Sequence, residues 1–526
     1  MKKERRLALM ATIAVAAAPV ASAADAPRQE PFPPYISNPA RQLPPSPIPP
    51  YRPVGMETGV RGKATGFFHV EAIDGLDWMV DPLGRAIVLA GVDWCTWVGM
   101  YCEEIQSAPY GEAVKEKFAS AVAWAKNADA RLASWGFNFV AVGSCPEIRY
   151  RSLAHANGAD HLYFSTRLCA GDDPDRWISP YKNAPGTAFP NVFHPGFAEE
   201  CEELARKRCS PHADDPWLVG YFLDNELRWG ASDEALFDTV AALPPEHSAR
   251  KALERFVEET CHAESRERGE KQTDLLTPNG VRETEKVSRV SGEQIRLSNQ
   301  NGSVPFCEIP DTVKRAFLEL VAERYYATLC GAIRKADPNH LVLGNRFAGL
   351  VQPAAVVAAC GRHCDVVSLN VYPHVEFATG RIYSNHPLHG GEPLTDAFRA
   401  FHAIAGKPLL LTEWSFPALD AGLPCTHGAG QRVQTQSDRA KAAEILLRTI
   451  FSLPFVVGHD FFMWQDDPPL GFNKFFREDC NYGLVNLRDE PYAELAETFA
   501  RLHRDAAKWR LGERAQSLRE TDNPEN

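Results

Sequence analysis

Two glutamates far apart in the chain each stand at the end of a short apolar run. Glu226 closes the stretch Trp217-Leu218-Val219-Gly220-Tyr221-Phe222-Leu223-Asp224-Asn225, and Glu413 closes Pro408-Leu409-Leu410-Leu411-Thr412 just before Trp414. Runs this apolar suit strands buried on both faces of a parallel sheet, and a carboxylate directly after one sits where the sheet opens to solvent. At the C-terminal ends of barrel strands, that is where chemistry is built. Two carboxyl groups facing each other across such a mouth are the least equipment that cleaves a glycosidic bond. A lone strand-end glutamate reads more simply as a surface or ion-paired residue. The pair, with Asn225 beside one member and aromatic residues around the other, favours catalysis.

The elements that must carry these residues follow from periodicity. A hairpin is predicted over residues 67–71 and 77–80, turning at Asp74-Gly75, and a strand over 86–93. Val114, Phe118, Val122, Ala125, Ala128 and Leu132 recur at threes and fours, predicting one amphipathic helix that Gly136 stops. Further strands are expected at 137–142, 217–223, 340–343, 365–371, 408–412 and 456–462, with 161–166 the least visible of the set. Helices are expected at 197–209, 312–335 (with Asp311 as cap), 353–360, 395–405, 438–451 and 491–503. Strand–helix alternation on this scale indicates a parallel α/β sheet. A closed (β/α)₈ TIM barrel is preferred to an open sheet, because the two glutamates must meet across a common mouth. The hairpin is then a small N-terminal extension. Residues 262–308 are polar and rich in Gly, Ser and Asn, and form a long insertion after the fourth strand. They read equally as a solvated loop or as a lid hanging from a catalytic strand.

The flanks point to export. Lys2, Lys3, Arg5 and Arg6 precede an uncharged stretch over 7–20, and Ala21-Ser22-Ala23 offers a cleavage site, so residues 1–23 read as a signal peptide. A proline-dense arm covers 24–60, the glycosidase barrel domain 61–510, and a polar tail 511–526. After signal removal no apolar run is long enough to span a bilayer, and the expected location is periplasmic or extracellular. Net charge is −12, and about −15 without the leader's four basic residues and one acidic residue. Such a balance argues against nucleic acid as a partner and says nothing against neutral sugars. Thirteen Cys is an odd number for an exported chain. One or two disulfides are plausible and buried thiols are the default for the rest; Cys360 and Cys364 lack the paired His of a zinc site.

At this point the residues resemble a known group. Asn225-Glu226 ending one strand and Thr412-Glu413-Trp414 ending another look like the clan A retaining glycoside hydrolases. The likeness narrows toward β-agarase-like enzymes of family 50, near the family 42 β-galactosidases. It is carried by Gly66-Phe67-Phe68-His69-Val70-Glu71, Asp81-Pro82-Leu83-Gly84-Arg85, Trp135-Gly136-Phe137-Asn138, the segment ending in Glu226-Leu227, and Gly458-His459-Asp460-Phe461-Phe462-Met463-Trp464. It runs from about 66 to 503, with the polar insertion matching poorly. In that clan the acid/base ends the fourth strand and the nucleophile the seventh, which implies Glu226 and Glu413 respectively. Glu226 would protonate the leaving oxygen and so needs a raised pKa, while Glu413 would attack the anomeric carbon and must stay ionised. Asn225 would hydrogen-bond the sugar 2-hydroxyl. Tyr372 resembles the tyrosine that orients the nucleophile, with a core role as its alternative. Trp464 would floor the cleaved sugar. Trp414, Trp229, Trp94 and Trp97 are further stacking candidates, and Arg346 and His374 could meet hydroxyls.

Other chemistries fare worse. The chain has no GxSxG elbow, HExxH, P-loop or GxGxxG, and the proposed chemistry requires no cofactor and no metal. The expected partner is a carbohydrate substrate, most consistent with a galactose-type or agar-like β-linked glycan cleaved by double displacement. The alternatives are a β-glycosidase acting on another glycan, such as a mannan or plant-wall fragment, a non-catalytic carbohydrate-binding barrel, and, more distantly, an open-sheet enzyme. Sugar, exo or endo mode and oligomeric state have no signature in the sequence.

Overall fold

The computed structural model describes residues 32, 58–149, 154–156, 173–179, 189–229, 235–273, 309–473 and 477–512. An antiparallel hairpin opens the continuous chain. β1 (His69–Ile73) and β2 (Leu76–Val80) pair from His69 opposite Val80 to Ile73 opposite Leu76. Asp74 and Gly75 between them both take positive φ, at 53° and 77°, the twist a two-residue turn needs. β3 (Ala86–Ile87) joins β2 antiparallel.

The next strands are β4 (Leu89–Val92), β5 (Phe139–Val140) and β6 (Ala154–Ala156), then a separate antiparallel pair, β7 (Trp177–Ser179) with β8 (Phe189–Pro190). β9 (Leu218–Tyr221), β10 (Leu341–Val342), β11 (Phe347–Ala348) and β12 (Val367–Asn370) follow. A second small pair, β13 (His374–Glu376) with β14 (Arg381–Tyr383), precedes β15 (Leu409–Glu413) and β16 (Val456–Phe461). Nine of these strands make one sheet in the order β10-β9-β6-β5-β4-β16-β15-β12-β11, and every neighbouring pair is parallel. β9, β12, β15 and β16 are buried along their whole length, which is why β9 and the Leu409-Leu410-Leu411 start of β15 are apolar runs, while Ser368, Asn370, His459 and Asp460 are buried polar residues on β12 and β16.

Alternate strand residues feed two cores. Leu89, Phe139, Val219, Leu341, Leu410 and Val457 gather in one cluster with Phe68, Met79 and Ile87 of the opening hairpin. Their sequence neighbours Leu218, Val140, Leu409 and Val456 face the other way, into a larger core shared with the helices. Those helices are Ala121–Ser134, Phe197–Arg208, Ser248–Thr273, Asp311–Ala336, Ala354–His363, Leu394–Ala405, Gln436–Phe451 and Ala493–Leu511. Among the described residues, no helix is long and apolar enough to cross a membrane.

Several expectations are corrected. The position between β5 and β9 is taken by residues 154–156, not 161–166, which lie outside the described residues. The stretch Leu153-Ala154-His155-Ala156-Asn157 offers too short an apolar run to be recognised. The single helix expected through Val114 and Leu132 is two, Pro109–Lys117 and Ala121–Ser134. Phe118 between them is extended, and the Ser120 hydroxyl accepts from the Ala123 N–H at 3.1 Å, so local capping overrides the continuous apolar stripe. Asp311 is the first helical residue rather than the cap, a place Pro310 takes. The polar insertion begins as helix, because Ser248–Thr273 runs on through residues 262–273, rich in the good helix formers Glu, Arg and Lys. Residues 274–308, the signal segment, nearly all of the proline-rich arm and the tail beyond 512 lie outside the described residues. Of the arm, Phe32 packs its ring 5.3 Å from that of Trp97.

Candidate active site

The two glutamates singled out in the sequence stand at or beyond the C-terminal ends of two strands of the parallel sheet, β15 and β9. Glu413 is the last residue of β15 and Asn370 the last of β12, and the two are register partners. Glu226 lies five residues beyond β9, and its backbone N–H donates to the carbonyls of Asn345 and Arg346 at 3.2 Å. Both Glu226 (φ 53°) and Arg346 (φ 50°) adopt the left-handed backbone that branched and bulky side chains avoid. Such strain persists only where surroundings over-determine it, and it gathers at functional positions.

One hydrogen-bonded network holds both glutamates. The guanidinium of Arg346 donates from Nη2 to Glu413 Oε1 at 2.6 Å and to Asp93 Oδ2 at 2.7 Å, and from Nε to Asn225 Oδ1 at 2.9 Å. The Tyr372 hydroxyl donates to the other Glu413 oxygen at 3.1 Å. Asn370 Nδ2 donates to Glu226 Oε1 at 3.0 Å and to Asn225 Oδ1 at 3.3 Å, while its own carbonyl accepts from the Thr412 hydroxyl at 2.9 Å. Thr412 thereby orients Asn370, and Asn370 orients Glu226. Because Asn225 Oδ1 takes two donors, its Nδ2 is left to donate elsewhere.

Charge is crowded here. Burial, reinforced by the charge of Glu413, pushes the Glu226 carboxyl up to about 7, against the hydrogen bond from Asn370 and the charge of Arg346. Burial also lifts Asp93 to about 7, with Arg346 opposing and Glu413 adding. Asp460, fully buried on β16 with both side-chain oxygens unpartnered, is held well above the ordinary carboxylate range by burial and by Asp93. Burial works against the charge of Arg346, yet Asp93 and Glu413 keep it protonated well beyond its usual range. The Tyr372 hydroxyl is raised by burial and by Glu413, so it stays a donor. Arg346 therefore acts on four carboxyl groups at once, and an arrangement of that kind keeps some protonated and some not near neutrality.

Arg346 is fully buried with its guanidinium turned onto protein groups, so it braces the site rather than meeting hydroxyls. The aromatic expectations divide. Trp464 is wholly covered: its indole N–H donates to the Tyr110 hydroxyl at 2.7 Å and its ring stacks on Trp135 at 6.0 Å. Trp414 is likewise buried, donating to His459 and packing edge-on to Phe461. Trp229 stacks on Tyr326, and Trp97 is buried as well. These four lie in the hydrophobic core. Trp94 is partly exposed, with φ 53° two residues past β4, and, like Tyr372, packs against the small cluster of Cys425, Met463, Cys480 and Tyr482. His374 opens β13 and sets its ring 4.3 Å from His386, apart from the network.

Asp93, Asn370, Asp460 and Glu478 were missed. Asn370 and Asp93 stand at or just past strand ends, so the criterion that found the glutamates extends to them. Glu478 lies in a polar loop with no such mark, yet burial and the charges of Glu413 and Glu226 raise it to about 7. Among the described residues, no group of three or more His, Cys, Asp and Glu side chains is set to hold a metal ion.

No protein-family model matches the chain. β-Agarase B of Vibrio sp. (strain JT0107) is 24% identical, the match covering 86% of this chain and 49% of that one. β-Agarase A of the same strain is 23% identical over 74% of this chain and 36% of that one. This chain is a relative of β-agarases. It spans about half the length of the first curated relative or less. Among solved structures, an exo-β-agarase aligns with a TM-score of 0.64 at 20% identity, over 88% of this chain and 69% of that one. BpGH50 aligns with a TM-score of 0.63 at 19% identity, over 90% and 87%. The resemblance to the β-agarase-like enzymes of family 50 holds, and these structures share its α/β fold.

Proposed function

We propose that the chain is an exported retaining β-glycosidase that hydrolyses a galactose-type, agar-like β-linked glycan. Glu226 acts as acid/base and Glu413 as nucleophile. The observation that carries this reading is the asymmetry of the two carboxyls within one network. Glu226 is pushed up to about 7, while Glu413 is gripped at both oxygens by Arg346 and Tyr372. The framework in this reading is a (β/α)₈ barrel. In support, β10 and β11, at opposite ends of the strand order, lie in one stretch of chain separated only by residues 343–346. Residues from around that order also converge on one inner cluster, which the opening hairpin adjoins.

In the first step the neutral Glu226 carboxyl gives its proton to the glycosidic oxygen as Glu413 bonds to the anomeric carbon and the bond to the leaving group breaks. Forming that ester removes the Glu413 charge, which is one of the two causes raising Glu226. The acidity of Glu226 therefore rises on cue, and it leaves the step as a carboxylate able to take a proton from water. Water then attacks the anomeric carbon and frees Glu413. Asn225 Nδ2, left over by the network, is the donor for the sugar 2-hydroxyl.

The test is turnover of agar oligosaccharides and a panel of aryl β-glycosides by the full-length protein. Release from galactose-type β-linked substrates is expected. Release from mannan or plant-wall substrates alone would move the assignment to another glycan. Measurable binding with no turnover of any panel member would favour a binding barrel.

A further inference from the structure

Beside the site lies a pair of thiols that the mechanism does not use. Cys425 sits in the segment after β15, the strand that ends on Glu413, and Cys480 in the segment after β16. They are 55 residues apart in sequence, and their sulfurs are 2.7 Å apart. A disulfide needs about 2.05 Å, so little movement separates the pair from a covalent bond. Other thiol neighbours differ: Cys330 and Cys360 each stand 3.7 Å from Cys364.

The two segments are already in register for a cross-link. The Cys425 N–H donates to the Asp479 carbonyl at 3.1 Å. The Asp479 carboxylate accepts from the His427 N–H at 2.8 Å and from the Thr426 hydroxyl at 2.6 Å. The Tyr482 hydroxyl donates to the Ala429 carbonyl at 2.8 Å, and Arg432 reaches the Cys425 carbonyl and the Cys480 sulfur. Cys425 itself takes a positive φ of 50°, a backbone its neighbours must hold in place.

We infer that Cys425 and Cys480 form a disulfide that ties the segment after β15 to the segment after β16 alongside Tyr372. The pair packs in one cluster with Met463 and Tyr482, against Tyr372 and Trp94, so the tie braces the tyrosine that donates to Glu413. Cys425 is the more accessible of the two, at 6% exposure against 0%. The hydrogen bond shared with Cys480 also pulls the Cys425 thiol down to about 7, against burial, which supplies thiolate near neutrality. As thiolate it attacks a small-molecule or protein disulfide, forming a mixed disulfide and releasing one thiol. Cys480, deprotonated in turn, attacks the Cys425 sulfur and displaces the second thiol. The two cysteines lose two electrons and two protons, and the disulfide that was attacked is reduced to two thiols. The link does not depend on the reaction proposed above.

The experiment uses the full-length protein, one portion treated with oxidised glutathione and one with dithiothreitol. Each is alkylated in denaturant, digested and analysed by mass spectrometry. The oxidised portion should yield a Cys425–Cys480 linked peptide that the reduced portion lacks. Closing a loop of this length should raise Tm by about 5 °C over the reduced form, and Cys425→Ser or Cys480→Ser should abolish both the linked peptide and that difference. Separate alkylation of both residues after oxidation, or a bond from Cys425 to any other cysteine, would overturn the inference. A linked peptide with no difference in Tm would overturn the brace. The comparison of oxidised and reduced wild-type protein stands even if neither variant folds.

Discussion

At the scale of the residue, Glu226 and Glu413 differ in what surrounds them, and each environment predicts its own failure. Glu413→Gln keeps shape but removes the nucleophilic charge, so turnover should nearly vanish while sugar binding survives; kcat and a binding isotherm check it. Glu226→Ala should damage substrates with poor leaving groups most, and azide should restore part of the activity as a β-glycosyl azide. Wild-type rates in either variant would remove that residue from its role. Tyr372→Phe deletes one bond to a charged acceptor worth about 1.5–3 kcal/mol, so kcat/KM should fall roughly 10- to 100-fold. The raised value of Glu226 also sets a sign for pH. The carboxyl must be protonated to act as acid, so kcat/KM should decline as pH rises through about 7. For stability, a carboxyl raised in the folded state binds its proton more tightly there. Its unfavourable ionisation is therefore absent well below pH 4.5 and fully felt above about 7. Relative to wild type, Glu226→Gln should be destabilising or neutral at pH 4.5 and gain up to ~3 kcal/mol by pH 8, measured by denaturant unfolding at both. A gain of the opposite sign would contradict the burial argument.

The two acids were legible because each follows an apolar run directly. Arg346 was visible as a strand-end residue, but its use was not. Its partners Asp93, Asn225 and Glu413 come from three other strands, so only assembly reveals a buried brace instead of a group facing substrate. The tryptophans misled for the opposite reason: a ring suited to stacking on sugar suits the core equally, and Trp464, Trp414 and Trp229 were taken by it.

Among the elements, legibility tracked how much apolar signal each segment carries. β9, β12, β15 and β16 are buried on both faces and announce themselves, whereas β6 contributes three residues and was misplaced. Local chemistry explains the broken helix at Ser120, which an apolar stripe alone cannot reveal. Two changes test the element-level account. Gly458, on β16 between β4 and β15, has no room for a methyl group, since a Cβ there would lie 2.5 Å from the Leu89 carbonyl oxygen. Gly458→Ala should therefore cost about 1–3 kcal/mol or more, seen as a lower Tm, and an unchanged Tm would refute the close approach. Thr435 caps Gln436–Phe451 in a reciprocal box with Asp438. Thr435→Ala should cost ~1 kcal/mol by denaturant unfolding.

For the whole molecule, the parallel sheet, the helices around it and the kinship with β-agarases were all readable from strand–helix alternation and a handful of motifs. The role of the polar insertion was not, because its composition serves a lid and a solvated loop equally well. Removing residues 274–308 should shift substrate preference while the sheet still folds if they act as a lid, and should leave kinetics unchanged if they do not. The central claim is double displacement through a glycosyl-Glu413 ester, and the anomer released at first turnover tests it most directly. Proton NMR of a β-linked galactose-type oligosaccharide digest, recorded before mutarotation, should show the new reducing end in the β configuration. An α product would show single displacement and contradict the assignment of Glu413 as nucleophile.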